Sequence, residues 1–323
     1  MRPVIALSTC LVLAAAPSLA EVPEVVTDIP AVHSLVSQVM GDLGTPTLLL
    51  DQGADAHDFQ LRPSQISAVQ GADLIVWIGP ELTPWLDRIV DEGSGEQSLS
   101  LLHQTGTTIR EFEADHNDES DHDAHTGHSH GMDGHDHAHH APVAGEHDHD
   151  GLDPHAWLDP DNAALWIGLI ADALVERDPG NAVTYRANAS LALSRINTIK
   201  DELEEQLTTV KDQPIVVAHD AYGYFADHFG LTIAASLAEG DAADPGAARR
   251  SELRALLKSG GAVCIFPEAM GDPDMVTLLA EGTDTRIGAP LDPEGRGLQP
   301  GPMLYDQILV GMVTAITDCL AGN

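Results

Sequence analysis

Three histidines stand where the side chains of an α/β protein could meet around one ligand. His57 follows an apolar run and its loop, and His219 comes directly after the apolar residues 215–217. Ligands of parallel α/β sheets bind beyond the carboxyl ends of the strands, which is where we expect these two side chains. His155 lies just before Asp159, a predicted helix N-cap that is followed by proline, so the turn that holds this imidazole should be stiff.

Each of these histidines has a carboxylate within two residues along the chain, namely Asp58, Asp153 and Asp220. Metal-bound imidazoles usually donate their second N–H group to a carboxylate or a carbonyl, which fixes the tautomer. Three converging imidazoles would form a zinc site with room for a fourth ligand. Because the three are far apart in the chain and form no motif, the residues alone leave open that they are ordinary capping or surface histidines.

The residues at 113–150 form a low-complexity segment that is rich in histidine, aspartate, glycine and alanine. It lacks the apolar side chains that would offset the entropy of a packed fold, so we expect a disordered surface loop. One interpretation is a solvated acidic linker with incidental histidines, and the other is a set of weak, exchangeable zinc sites that gather metal or sense its abundance. Eleven of the 17 histidines of the chain lie here: His116, His122, His125, His128, His130, His135, His137, His139, His140, His147 and His149.

A long amphipathic helix is predicted over residues 179–210. Past Gly180 the run contains no glycine or proline before Pro214, and its apolar residues recur at spacings of three and four. Such a helix would be about 45 Å long, longer than a small domain is wide. We therefore expect a rigid linking helix between two lobes, with the functional residues contributed from both sides.

Strand-like and helical patterns alternate on both sides of the linking helix, which predicts parallel βαβ units and an α/β fold with two lobes. The predicted strands are 25–29, 47–50, 74–78, 215–217, 231–235 and 262–266, and the predicted helices are 32–40, 63–69, 84–90, 222–229, 247–258 and 305–320. The expected division is an N-terminal lobe at 21–178, the linking helix at 179–210 and a C-terminal lobe at 211–323.

The first twenty residues predict a secretory signal peptide. Arg2 precedes the apolar run 4–16, and Ser18 and Ala20 are the small residues that a signal peptidase reads. A membrane anchor would need to span about 30 Å of hydrocarbon, for which this run is too short. Lipidation at Cys10 is a weaker alternative. The sequence predicts no later segment long and apolar enough to cross a bilayer, so we expect a soluble, exported protein cleaved after Ala20.

Charge and cysteine content agree with that compartment. The 323 residues carry a formal net charge of −36, which repels nucleic acid and anionic lipid and attracts cations. Removing the signal peptide leaves Cys264 and Cys319, and two cysteines in an oxidising compartment suggest a disulfide, with two unpaired buried thiols as the alternative. The bond would stabilise the fold by about 4 kcal/mol in the loop-entropy model.

Four segments carry a family resemblance: 53–64, 72–82, 153–160 and 219–225. With the His- and Asp-rich loop and the C-terminal cysteine pair, they resemble the ZnuA family of zinc-binding periplasmic proteins of bacterial ABC importers, also called cluster A-I or cluster 9. The resemblance covers nearly the whole mature chain. It implies two Rossmann-like (β/α) lobes with parallel sheets, joined by one long rigid helix, with a metal cleft between them.

The resemblance also implies that His57, His155 and His219 hold the metal. Manganese-type relatives carry a carboxylate in place of His219, and an imidazole there favours zinc. Some zinc members take a fourth ligand from a glutamate just before the first histidine, where this chain has Ala56. Relatives with an aspartate ligand in the second lobe align it near Asp292, so water and Asp292 both remain open as the fourth ligand.

The function that the resemblance implies is capture of Zn²⁺ and its delivery to a membrane permease with a cytoplasmic ATPase, by a monomer that is not an enzyme. Alternatives are a receptor for manganese or another divalent metal, or a zinc buffer or adhesin. A zinc hydrolase is disfavoured because no His-Glu-x-x-His pattern occurs and no general base is evident beside the ligands. We expect structural or surface roles for His33, His103 and His228, and core packing for Trp77, Trp166, Tyr222, Tyr224 and Phe225.

Overall fold

Two four-stranded parallel sheets form the framework of the computed structural model, which describes residues 22–57, 59–112, 151–238 and 246–322. The strand orders are β2-β1-β3-β4 and β6-β5-β7-β8. All pairings between these strands are parallel, so the predicted α/β class is confirmed. The predicted signal peptide, Asp58 and the eleven histidines between 116 and 149 lie outside the described residues.

The first sheet follows the predicted strand–helix alternation. Each of its three helices begins with proline at the first position, where the missing N–H group costs no hydrogen bond. The last strand escaped prediction because its serines carry no apolar signal. The elements are β1 Val25–Thr27, α1 Pro30–Met40, β2 Thr47–Leu48, α2 Pro63–Gly71, β3 Leu74–Trp77, α3 Pro84–Ile89 and β4 Ser98–Ser100.

Two helices then lead to the second half of the chain. α4 spans Pro160–Arg177, and the carboxylate of its N-cap Asp159 accepts a hydrogen bond from the Asp161 N–H group, as the sequence predicts. α5, the linking helix, spans Ala182–Leu207 and is about 39 Å long. It is shorter than predicted because Pro179–Asn181 form a separate 3-10 turn before it and residues 208–210 form a turn after it.

The second sheet and its helices complete the fold: β5 Ile215–Val217, α6 Gly223–Phe229, β6 Ile233–Ser236, α7 Ala247–Lys258, β7 Cys264–Ile265, α8 Pro273–Ala280, β8 Arg286–Ile287 and α9 Leu304–Ala321. α8 and β8 were not predicted. β8 has two exposed residues at the sheet edge, and such a segment lacks the apolar run of a buried strand.

α9 returns to the first half of the molecule and packs against α1 and α5. One apolar core therefore runs through both halves and includes Leu35, Trp166, Ile196, Phe225 and Ile308. Because α9 contacts elements of both halves, the exact lobe boundaries along the chain stay a prediction. The five aromatic residues predicted to pack in cores are buried, which confirms that prediction.

The C-terminal helix also corrects one expectation. Within the described part of the chain, α9 is long and apolar enough to cross a membrane by length and composition, contrary to the prediction that no such segment exists after the leader. Most of its apolar residues face the core, and 56% of the helix is buried inside the fold. The predicted disulfide is present between Cys264 and Cys319, whose Cα atoms are 6.3 Å apart, and it joins β7 to α9.

Candidate metal centre

The imidazole rings of His57, His155 and His219 lie next to one another. The ring centroids of His57 and His155 are 5.6 Å apart, and those of His155 and His219 are 5.4 Å apart. A zinc–nitrogen bond of about 2.0 Å puts each ring centroid roughly 3.2 Å from the ion, so two tetrahedral ligands would have centroids about 5 Å apart. The observed separations are compatible with three rings around one ion.

A buried aspartate orients the central imidazole. His155 is fully buried, and the Oδ1 atom of Asp153 lies 2.8 Å from its Nδ1 atom and 3.0 Å from its backbone N–H group. The contact matches the sequence expectation of a carboxylate behind this imidazole. The Tyr224 hydroxyl donates a hydrogen bond to the Asp153 carbonyl oxygen, which fixes the turn. Burial raises the pKa of Asp153 to about 7, although the His155 N–H group and the Arg110 guanidinium oppose this shift.

The second imidazole is oriented by a residue that the sequence analysis missed. A Glu268 carboxylate oxygen lies 2.9 Å from the Nδ1 atom of His219, and the Tyr222 hydroxyl donates to Glu268 across 3.3 Å. Glu268 follows β7, which pairs directly with β5, so the ends of the two strands bring these residues together. The sequence indicates Asp220 as the supporting carboxylate because it is adjacent to His219, and that contact stays a prediction. The available signal for Glu268 was its position two residues after a predicted strand.

The loop that carries His57 is held by contacts from both halves of the chain. The His57 N–H group donates to Asp55 Oδ1 at 3.0 Å, and the Trp85 indole N–H group donates to the carbonyl oxygen of Ala56 at 2.7 Å. Arg296 donates from one guanidinium nitrogen to Asp55 and from the other to the Gly53 carbonyl oxygen, each across 3.2 Å. The first histidine is therefore positioned by a residue of the opposite half.

Two acidic residues, Asp292 and Glu294, lie in the loop after β8. The predicted fourth ligand, Asp292, accepts backbone hydrogen bonds from Arg296 on one oxygen and from Gly297 on the other, both at 2.9 Å. Glu294 is 2% exposed, and its Oε2 atom has no hydrogen-bond partner among the described residues. Burial, reinforced by Asp55, raises the pKa of Glu294 to about 8, although the nearby charges of Arg296 and His219 lower it. The sequence analysis did not single out Glu294.

Three further histidines have different surroundings. His33 is buried in α1, where its Nε2 atom lies 3.2 Å from the Pro46 carbonyl oxygen and burial lowers its pKa. His103 is half exposed beside Glu81. His228 was expected to be an ordinary helix or surface residue, but only 10% of its side chain is exposed, and it contacts Asp159.

Comparison with known proteins agrees with this architecture. The family model described as ZnuA, zinc-uptake complex component A, periplasmic, matches residues 25–319. The high-affinity zinc uptake system protein ZnuA of Paracoccus denitrificans is 47% identical, and the alignment covers 98% of each chain. The protein of the same name from Brucella suis is 38% identical over 92% of this chain and 91% of its own.

Solved structures show the same fold at low sequence identity. A zinc-bound ZnuA deletion mutant superposes with a TM-score of 0.71 and 20% identity, covering 93% of this chain and 98% of its own. The periplasmic zinc-binding protein TroA from Treponema pallidum gives a TM-score of 0.72 and 18% identity, covering 92% and 99%. Because the family model spans almost the whole described chain and two relatives exceed 30% identity over nearly full length, this protein belongs to the ZnuA family of periplasmic zinc-uptake components.

Proposed function

We propose that this protein is a periplasmic receptor that captures Zn²⁺ and delivers it to the membrane permease of an ABC importer. The observation that carries the proposal is the convergence of the His57, His155 and His219 rings between the two halves of the fold. Export by the signal peptide at 1–20, function as a monomer and a cytoplasmic ATPase that drives the permease belong to the same proposal. Membership of a family of uptake-complex components supports it.

The donor set suits zinc better than harder divalent ions. Three imidazole nitrogens match the preference of a borderline-soft cation, whereas manganese sites are richer in oxygen. Asp153 and Glu268 engage the Nδ1 atoms of His155 and His219, so Nε2 is the atom that each of these rings would direct at the ion. The fourth position falls to water, Asp292 or Glu294.

The proposal is capture without catalysis. A zinc hydrolase needs a general base that can reach a metal-bound water. Glu268 contacts His219 and accepts a hydrogen bond from Tyr222, which makes it a support for the ligand. Asp153 is likewise engaged by His155.

The test is the zinc content and affinity of the mature protein purified from the periplasm. We expect one tight zinc per chain in competition with a chelator, and loss of that site in a variant with His57, His155 and His219 all changed to alanine. His103→Ala is the matched control, because it removes a half-exposed histidine. A triple variant that retains the tight site, or a wild-type protein that prefers Mn²⁺ to Zn²⁺, would refute the proposal.

Growth of a deletion strain under zinc chelation tests the transport step. A receptor predicts a growth defect that added zinc rescues and that the triple variant fails to complement. Normal growth of the deletion strain under chelation, in a host without another zinc importer, would contradict the delivery role.

A further inference from the structure

A second group of metal-binding side chains lies beside the turn that carries His155. Asp159 is the N-cap of α4, Asp161 is in the first turn of that helix, and His228 is in the last turn of α6. The Nδ1 atom of His228 lies 2.8 Å from Asp159 Oδ1 and 3.8 Å from Asp161 Oδ2. One imidazole nitrogen and two carboxylate oxygens therefore face one small volume.

The two distances lie on either side of the separation that a shared ion requires between its ligand atoms. Tetrahedral zinc with bonds of about 2.0 Å holds its ligand atoms roughly 3.3 Å apart. Shifts of about 0.5 Å in the two contacts would bring the set to that value. Asp161 can make such a shift because 60% of its side chain is exposed, whereas the side chains of Asp159 and His228 are only 11% and 10% exposed.

The other nitrogen of His228 also points to a bound cation. The Nε2 atom is buried, and it has no hydrogen-bond partner among the described residues. The carboxylate of Glu204 on α5 lies 3.8 Å from it, and 53% of that side chain is exposed. When a metal binds Nδ1, the proton resides on Nε2, and metal-bound imidazoles usually direct that N–H group at a carboxylate. Metal binding would thus give the buried Nε2 atom a donor role and Glu204 the matching acceptor role.

The net negative charge of the group also favours a cation. Asp159, Asp161 and Glu204 contribute three negative charges, and the Lys200 ammonium, 2.8 Å from Asp161 Oδ1, contributes one positive charge. With a neutral imidazole, two negative charges remain. A divalent ion would balance them, while Lys200 competes with it for Asp161.

We infer that His228, Asp159 and Asp161 form a second divalent-cation site, with zinc as the favoured ion and Glu204 as the partner of the imidazole. The site is distinct from the histidine cleft and does not depend on the receptor function. It should be weaker than the cleft, because it offers one nitrogen instead of three and because Lys200 competes. An ion at this site would link α4 to α6, which is the first helix after β5 in the second half of the fold.

The test is anomalous diffraction at the zinc edge from crystals of the full mature chain, over a series of zinc concentrations. We expect a cleft peak at low zinc and a second peak beside His228 at higher zinc. Asp161→Asn should lower the apparent zinc affinity of the second site by about tenfold or more. It should leave the cleft peak unchanged. Lys200→Met should strengthen it by about two- to fivefold, since an exposed ion pair no longer competes.

Glu205→Gln is the matched control, because it removes one exposed charge of α5 outside the group. It should leave the second peak as in the wild type. The inference is overturned if no peak forms beside His228 when the cleft is saturated and zinc is in excess. It is equally overturned if Asp161→Asn leaves the zinc concentration needed for the peak unchanged, or if Lys200→Met leaves it unchanged.

Discussion

Replacing Glu268 with glutamine tests whether the carboxylate behind His219 supports metal binding. The Glu268 carboxylate lies 2.9 Å from His219 Nδ1, and 16% of its side chain is exposed. Glutamine keeps the size of the side chain but removes its charge. Its amide can also place an NH₂ group at Nδ1, which would favour the tautomer with the proton on Nε2, where zinc would bind.

The size of the effect follows from the hydrogen bond that is weakened. A hydrogen bond to a charged group contributes about 1.5–3 kcal/mol, and one between neutral groups about 0.5–1.5 kcal/mol. The difference of about 1–1.5 kcal/mol corresponds to roughly tenfold weaker zinc binding. Loss of a carboxylate that supports a metal-bound histidine typically costs 10–100-fold, so tenfold is the lower end of our expectation.

Zinc affinity should be measured at neutral pH by competition with a chelator, beside the free energy of unfolding of the metal-free protein. Tyr222→Phe is the matched control, because it removes the 3.3 Å hydrogen bond to Glu268 but leaves the contact to His219. We expect this control to lose less affinity than Glu268→Gln. An exposed control, Glu281→Gln, should bind zinc as the wild type does.

Two results would refute the reasoning. If Glu268→Gln binds zinc within twofold of the wild type while remaining folded, the carboxylate does not support the metal ligand. A loss equal to that of Tyr222→Phe would also contradict it, because the hydroxyl would then account for the effect.

Four further changes test the cleft, the histidine-rich segment and a buried histidine of α1. His57→Ala should weaken tight zinc binding by at least about 100-fold and leave the unfolding transition of the metal-free protein unchanged, by chelator competition and circular dichroism. Deleting residues 116–149 should remove the weak zinc sites and keep the tight one, by calorimetry. Arg296→Gln should speed zinc release several-fold in stopped-flow chelation, because the loop that carries His57 loses two interactions. Burial lowers the pKa of His33, so below about pH 6.5 the unfolded chain binds more protons than the folded chain. The free energy of unfolding therefore falls as the pH drops. His33→Gln should reduce this pH dependence in denaturant titrations.

Each of these predictions has an outcome that contradicts it. His57→Ala with wild-type affinity would remove this residue from the ligand set. Unchanged calorimetric stoichiometry after the deletion would mean that the segment binds no zinc. An unaltered release rate in Arg296→Gln would mean that this guanidinium does not restrain the loop, and an equally steep pH dependence in His33→Gln would assign the acid sensitivity to other groups.

The sequence predicted best where a local rule decides the structure. Pro63, Pro84 and the Asp159 cap gave the starts of α2, α3 and α4, and short apolar runs gave the inner strands, whereas α1 begins at Pro30, two residues before its predicted start. It failed where the outcome depends on which strands become neighbours. Glu268 reaches His219 only because β7 pairs with β5, and Glu294 lies in an irregular loop with no periodic pattern. The burial of His228 was not predicted, because it arises from contacts with α4, which a helical pattern does not reveal.

The packing of the cleft favours release of zinc by a loop over release by a hinge. α5 runs along a core that is continuous through both halves, and α9 packs against α1 and α5, so opening the two lobes would expose much of that core. His155 is fully buried, and His219 is held by Glu268 at the end of a strand. The His57 loop is restrained across the cleft by Arg296, whose two contacts are each 3.2 Å long. Moving this loop alone would withdraw one of the three proposed ligands without breaking the core, which is the smallest change that could release the ion to the proposed permease.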